Sequence, residues 1–414
     1  MRAEQEVLDT LNAIPAITAV RTVAGQQSVP VYLAGGALRD LFLGLPPQDF
    51  DFIVEADARD FARQLATLAP GAVGESAPDS GTVRYRSRKL GRLDFMPAGG
   101  LSVDEFLTRY FDFTVNTLVF DLQRGTIVDS HGSLADIDDQ TIRNVPSTGF
   151  ASKPAHFLLR AIRLALLTPT FTLDAGTRAG LEAHRQLVTS ADAADVGYEL
   201  NAILKSTEYL RGIRLLSDLG MLQEILDTFL PCAAPASGHD DATRGADIDE
   251  VIRLFSMLDD VSAPCLSLVS RHLPVLRDVI LVTAQMRRNG LQVTEEAGRR
   301  FLVTQGSALE ETFNNLSTRF SPLGLYGFRV RMVTIGYWLG MASLSDRTAS
   351  IEAVIESSIR TFGRRKGLLS ALLIGADWLV HAGHDTTAGG HAESVKAIFQ
   401  RIGSEDGLVS LAAQ

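Results

Sequence analysis

The sequence predicts an α+β head, a mixed sheet with flanking helices, followed by an all-α body. Three observations carry that division. In the first part, short apolar runs alternate with polar residues as strands do, at VPVYLAG (29–35), DFDFIVE (49–55), TVNTLVFDL (114–122) and GTIVDS (125–130). Helical spacing intervenes at GALRDLFLG (36–44) and ARDFARQLATLA (58–69). After residue 150 the period changes. FLLRAIRLALL, AGTRAGLEAHRQLV, YELNAILKS and YLRGIRLLSDLGMLQEIL all place apolar residues three and four apart.

Within the head, GTVRYRSRKL and GRLDFMPA both alternate and are interrupted by Gly91, which predicts a hairpin. LADIDDQ predicts a polar helical turn before TIRNV. The stretch 231–247 is rich in Ala, Pro, Gly and Asp and reads as a linker. The expected organisation is a head over 1–150, a helical neck over 151–230, a linker over 231–248 and a helical tail over 249–414.

The chain has 414 residues, 46% hydrophobic and 21% charged, which fits a soluble protein with several cores. The N-terminus carries charges where a signal peptide is apolar, and no apolar run reaches the roughly 18 residues that span a bilayer. A cytoplasmic protein with no membrane partner is expected. A net charge of −10 argues against a protein that coats nucleic acid without selectivity. Two cysteines, Cys232 and Cys265, cannot build a disulfide framework and read as core residues.

The chemistry concentrates in LAGGALRDLFLGLPPQDFDFIVE. A strand ends at Gly35-Gly36 and a helix begins at once, so the backbone can approach a phosphate closely. Arg39, one turn into that helix, can reach the same anion. Asp49 and Asp51 stand at i and i+2 of the next strand and therefore share a face. Paired carboxylates beside a phosphate cradle suit Mg²⁺, which prefers hard oxygen ligands and substrate phosphates. Such a pair can serve an in-line displacement on a nucleoside triphosphate. Asp94, in the alternating RLDF, is the candidate third carboxylate for the acceptor hydroxyl.

In this order and spacing, the motif resembles the class II tRNA nucleotidyltransferase and bacterial poly(A) polymerase family, whose head is of the polymerase-β nucleotidyltransferase type. That family's GG-x-x-R-D-x-x-L-G and D-x-D appear here as GGALRDLFLG and DFD. FDFTVNTLVFDL resembles its D-F-T-x-N-x-L segment, placing Asp112 and Asn116 on the sugar side of the nucleotide pocket. DSHGSLADIDDQTIR resembles its D-x-x-G-G-x-x-D-L segment, with Ser133 for the second glycine. LLRAIRLA resembles the first neck helix, which implies that Arg160 and Arg163 lie beside the nucleotide. The similarity covers roughly residues 28 to 225.

Two departures stand out. The family's arginine pair before D-F-T is Tyr110 and Phe111 here, with Arg109 one residue further back. Its neck motif E-D-x-x-R, which reads the incoming base, falls on Lys153, Pro154 and Phe157. An apolar Phe157 can stack on a base but cannot discriminate one by hydrogen bonds. The expected function is therefore metal-dependent transfer of a nucleotide to an RNA 3′ end, tRNA-like, with altered base selection. The alternatives are an inactive RNA-binding relative or transfer to a non-RNA acceptor such as a protein.

Two weaker signals remain. His381, His384, Asp385 and His391 cluster in a small-residue stretch and read mainly as a polar loop. Arg360, Arg364, Arg365 and Lys366 form the most basic local run, which reads as a solvated helix end more readily than an RNA contact.

Overall fold

A computed structural model describes residues 1–47, 49–77, 81–146, 150, 153–229, 241–269, 276–277, 279–280, 333, 337, 341, 350–382 and 389–403. The chain divides into two compact units: residues 1–157 with 167–184, and residues 158–166 with 185–414. The division thus falls later than residue 150, and a further segment of the expected neck belongs with the head.

The head opens with two short helices, α1 (Glu4–Ala13) and α2 (Pro15–Gln27), which the sequence reading leaves unassigned. Pro15 starts α2, where its missing N–H costs nothing, and it splits what would otherwise be one helical period. Next come β1 (Val31–Ala34), α3 (Gly36–Phe42), β2 (Phe50–Val54) and α4 (Ala58–Leu68). They are followed by β3 (Ala72–Ala77), β4 (Thr82–Ser87), β5 (Gly91–Pro97) and α5 (Val103–Tyr110). The head then adds β6 (Val119–Asp121), β7 (Thr126–Val128), α6 (Ser133–Asp138) and β8 (Thr141–Ile142). After α7 (Phe157–Ala165), β9 (Thr172–Leu173) pairs in parallel with β8, and α8 (Ala175–Ala183) completes the head.

Seven strands form one mixed sheet in the order β3-β4-β5-β2-β1-β6-β7. The β2–β5 pair is parallel and the remaining pairs are antiparallel. Alternation assigns each face. Phe52 stacks on Phe95 at 5.4 Å between ring centroids, and Phe61 of α4 lies 5.3 Å from Phe95, so α4 covers this face. Each such buried ring stabilises by about 1.5–3 kcal/mol. On the other face, Ile53 packs with Phe106 and Leu107 of α5. Ser102 and Glu105 close the N-terminus of α5 with a reciprocal capping box. Asp51, two residues before Ile53, emerges on this second face.

The second unit contains α9 (Ala193–Lys205), α10 (Tyr209–Asp218), α11 (Met221–Phe229), α12 (Asp241–Ser262) and α13 (Leu266–Val269). It continues with α14 (Ile351–Ala382) and α15 (Gly389–Ile402). Gly220, with φ 69°, divides the expected helix at 209–226 into α10 and α11. Helix α12 begins at Asp241, within the stretch 231–248 read as a linker, whose residues 231–240 lie outside the described residues. Tyr209 donates to the Phe255 carbonyl at 3.1 Å, and the Arg277 guanidinium lies 3.4 Å from the Tyr209 ring centre. Cys265 is buried, its thiol pushed up to about 11 by desolvation, as a core cysteine should be. Cys232, His384 and Asp385 lie outside the described residues, as do the side chains of Arg360, Arg364, Arg365, His381 and His391. Among the described residues no helix is long and apolar enough to cross a membrane.

Candidate active site

Strand register brings the carboxylates together. Ala34 of β1 pairs with Asp51 of β2, and Asp51 pairs in turn with Asp94 of β5. Neighbouring strands lie about 4.8 Å apart, so Asp51 and Asp94 stand side by side on one face. Asp49, at the mouth of β2, has a side chain 44% exposed, whereas that of Asp94 is 9% exposed. A Cβ added at Gly35 would stand 3.0 Å from Asp51 Oδ2, and Gly35 has φ 82°. Glycine is therefore required there both for backbone conformation and for the close approach of the turn to the carboxylate.

The sequence reading missed two residues of this cluster. Arg84 faces Asp94 across the β4–β5 hairpin and grips it at two points, Nε to Oδ1 and Nη2 to Oδ2, both 2.8 Å. Arg92 bridges Asp94 Oδ2 at 3.1 Å and Asp49 Oδ2 at 3.3 Å. The hairpin was legible, and its register would have named Arg84 opposite Asp94. Arg92 lies two residues before Asp94 and so on the same face.

These charges set the electrostatics. Burial, reinforced by Asp94 and Asp49, pushes the Asp51 carboxyl up to about 6, against partial relief from Arg92 and Arg84. Burial alone would also raise Asp94, but the hydrogen bonds from Arg84 and Arg92 outweigh it and hold that carboxyl below its ordinary value. Half-buried like charges beside a glycine turn offer hard oxygen donors whose mutual repulsion a divalent cation would relieve. The donor set fits such an ion. Among the described residues no three His, Cys, Asp or Glu side chains close on a common point as they stand. Arg84 and Arg92 engage the Asp94 oxygens instead.

Four further expected residues are occupied differently. Arg39 is 6% exposed and turns inward, to Asp40 at 2.7 Å and to the Asn116 side chain, so it braces the turn instead of reaching outward. A Cβ on Gly36 would stand 3.0 Å from Arg39 Nη2. Asn116 completes this brace, since its carbonyl accepts from the Gly35 amide at 3.2 Å. Asp112 is buried at 7% exposure, 3.6 Å from Lys153 Nζ, which also donates to the Phe111 carbonyl. Lys153, on the neck-motif glutamate position, thus holds the 111–112 segment from inside the head.

Phe157 corrects the expectation of base stacking. It is fully buried, with ring centroids 5.4 Å from Phe150 and 6.0 Å from Phe113, so its faces are already covered. Arg160 and Arg163 lie in the second unit, where both meet Glu199, at 3.3 Å and 2.5 Å. Glu199 is 1% exposed, while the arginines are about a third exposed. Glu199→Ala should therefore destabilise by about 2 kcal/mol, because the freed guanidinium groups can partly rehydrate. Urea unfolding should show a lower midpoint at unchanged slope.

Residues 31–98 match the model of the poly(A) polymerase head domain. The Multifunctional CCA protein of Azoarcus sp. is 29% identical over 60% of this chain and 61% of its own length. The A-adding tRNA nucleotidyltransferase of Aquifex aeolicus is 29% identical over 48% of this chain and 26% of its own. The CC-adding tRNA nucleotidyltransferase of Synechocystis sp. is 32% identical over 42% of this chain and 41% of its own. The matches thus span less than two thirds of these relatives. Among solved structures, a tRNA nucleotidyltransferase complexed with a primer tRNA and an incoming ATP analog superposes with a TM-score of 0.63 at 20% identity, over 92% of this chain and 98% of that one. The Thermotoga maritima CCA-adding enzyme complexed with tRNA gives 0.61 at 18% identity, over 100% and 98%. At those identities the structures establish a shared fold.

Proposed function

We propose that this chain, whose residues 31–98 match the poly(A) polymerase head domain and which is similar to CCA-, CC- and A-adding relatives, transfers a nucleoside monophosphate from a nucleoside triphosphate to a tRNA-like 3′ end. The observation that carries the reading is the register that sets Asp51 beside Asp94, against the Gly35 turn. Asp49 and Asp51 would hold a divalent cation, Mg²⁺ by the chemistry of the oxygen donors. The bound cation would supply charge neutralisation at the triphosphate.

The residues of the chain account for the remaining steps. The acceptor 3′-oxygen bonds to the α-phosphorus, the bond to the β-phosphate oxygen breaks, and pyrophosphate leaves. Asp94 accepts a hydrogen bond from the attacking hydroxyl. Its carboxyl is held low by two guanidinium groups, so it orients that hydroxyl, and the proton passes to water. Gly35 permits the close approach of turn and triphosphate. The seven-residue α3 behind it adds only a modest dipole. Arg39 and Asn116 keep the turn in place.

Base selection is weak in this reading. The family positions that read the base are Pro154 and Phe157, and Phe157 is enclosed by Phe113 and Phe150. Without a fixed donor–acceptor pattern, no wrong base leaves a buried polar group unpaired, and discrimination falls accordingly. Incorporation of each labelled nucleoside triphosphate into total RNA with Mg²⁺ tests the activity. Label should appear on a discrete RNA and vanish with Asp49→Ala/Asp51→Ala. No incorporation from any of the four would overturn RNA end-addition.

A further inference from the structure

We propose that Arg92 is an internal counter-ion of the carboxylate cluster, displaced when a divalent cation binds, and that it thereby sets the cation affinity of the head. The inference rests on the metal-dependent reading above.

Among the described residues two arginines contact the cluster, and they are not equivalent. Arg84 makes a two-point pair with Asp94 from a side chain 23% exposed, the bidentate geometry in which guanidinium and carboxylate match best. It is a positioning residue for Asp94. Arg92 makes single, longer contacts to two different carboxylates and is 39% exposed, so it can swing out to water. Its Nε is buried without an acceptor, a donor left unsatisfied in this pose. One arginine is locked, and the other is held loosely.

The loosely held one spans the cluster. Asp49 immediately precedes β2, Asp51 lies within it as the register partner of Asp94, and Arg92 reaches from Asp94 to Asp49. A divalent cation on Asp49 and Asp51 would compete with the guanidinium for Asp49 Oδ2 and repel it through space. Binding of the one therefore opposes binding of the other, and the ion-pair energy of Arg92 is subtracted from the apparent metal affinity. For a part-exposed guanidinium with two contacts, the expected effect is roughly tenfold in the dissociation constant.

The test uses the full chain without nucleotide, titrated with Mn²⁺ while the free ion is followed by electron paramagnetic resonance. Arg92→Gln should bind Mn²⁺ roughly tenfold more tightly than wild type, Arg92→Lys should lie between, and Asp49→Ala/Asp51→Ala should bind none. In EDTA, Arg92→Gln should melt below wild type, and saturating Mn²⁺ should close the gap. Equal or weaker Mn²⁺ binding by both Arg92 variants overturns the proposal. If binding is nonetheless lost in Asp49→Ala/Asp51→Ala, the proposed function stands without it. If no form binds Mn²⁺, both fall.

Discussion

Asp51→Asn should abolish nucleotidyl transfer, by about a thousandfold or more, while leaving the fold intact and, without divalent cations, more stable. The catalytic loss follows from removing the carboxylate at the centre of the cluster, where charge stabilisation of the transferring phosphoryl group is concentrated. The stability gain follows from the sign of its shift. The Asp51 carboxyl is raised from 3.8 to about 6, with burial the largest cause. Its protonated form is favoured in the folded state, so its contribution to stability is present below the unfolded value and lost as pH rises through about 6. At pH 8 the ionised group costs on the order of 3 kcal/mol relative to a neutral one. Thermal melts in EDTA should place Asp51→Asn above wild type at pH 8, with the advantage disappearing near pH 4. A variant that is inactive and also less stable at pH 8 would instead make Asp51 a structural residue.

Phe157→Arg should not restore base reading, although it returns the residue type that the family places there. The ring is fully buried between Phe113 and Phe150. A guanidinium in that cavity would be desolvated, and none of the three aromatic rings around it, His184 on Phe150 included, offers a carboxylate. The expected cost is at least the 3–5 kcal/mol or so of Phe157→Ala, which creates a cavity of phenyl size. Urea unfolding of both variants should show losses of that order, with Phe157→Arg the worse. A stable Phe157→Arg protein with sharpened selectivity would mean that the position does face the nucleotide.

The two predictions differ in how far the sequence alone could reach them. Asp49, Asp51, Gly35 and Gly36 were legible because a strand with period two and a turn needing glycine leave local marks. The parallel neighbour of β2 was not, since Asp94 meets Asp51 through a long-range pairing. It could be guessed only from chemistry. The arginines on Asp94 required the hairpin register as well as the hairpin. Arg39, Arg160 and Arg163 read as anion ligands because an arginine looks alike in sequence whether it meets a phosphate or a buried carboxylate. Their partners Asp40 and Glu199 are what separate the two uses.

The fold shows the same division. The strong strands and the amphipathic α4 and α10 lie where their periodicity predicts them. The strand β3, at the edge of the sheet among the described residues, has Gly74 and Ser76 within six residues and pairs with β4, so it carries little pattern of its own. Helix α5 was overlooked although its capping box, Ser102 to Glu105, is a sequence-level signature. Phe157 illustrates the remaining limit. Its replacement of an arginine was visible, but whether a phenylalanine stacks on a ligand or fills a core depends on Phe113 and Phe150, which are brought to it by the tertiary fold.

The most direct test of the whole account is kcat/KM for each of the four nucleoside triphosphates on one purified tRNA with a trimmed 3′ end, in Mg²⁺. Transfer should depend on Asp51, with the four values within about tenfold of one another, the range left when hydrogen-bonded base reading is absent. A preference of about a thousandfold or more for C or A would contradict the proposed loss of base selection, and no transfer with any nucleotide would contradict the activity itself.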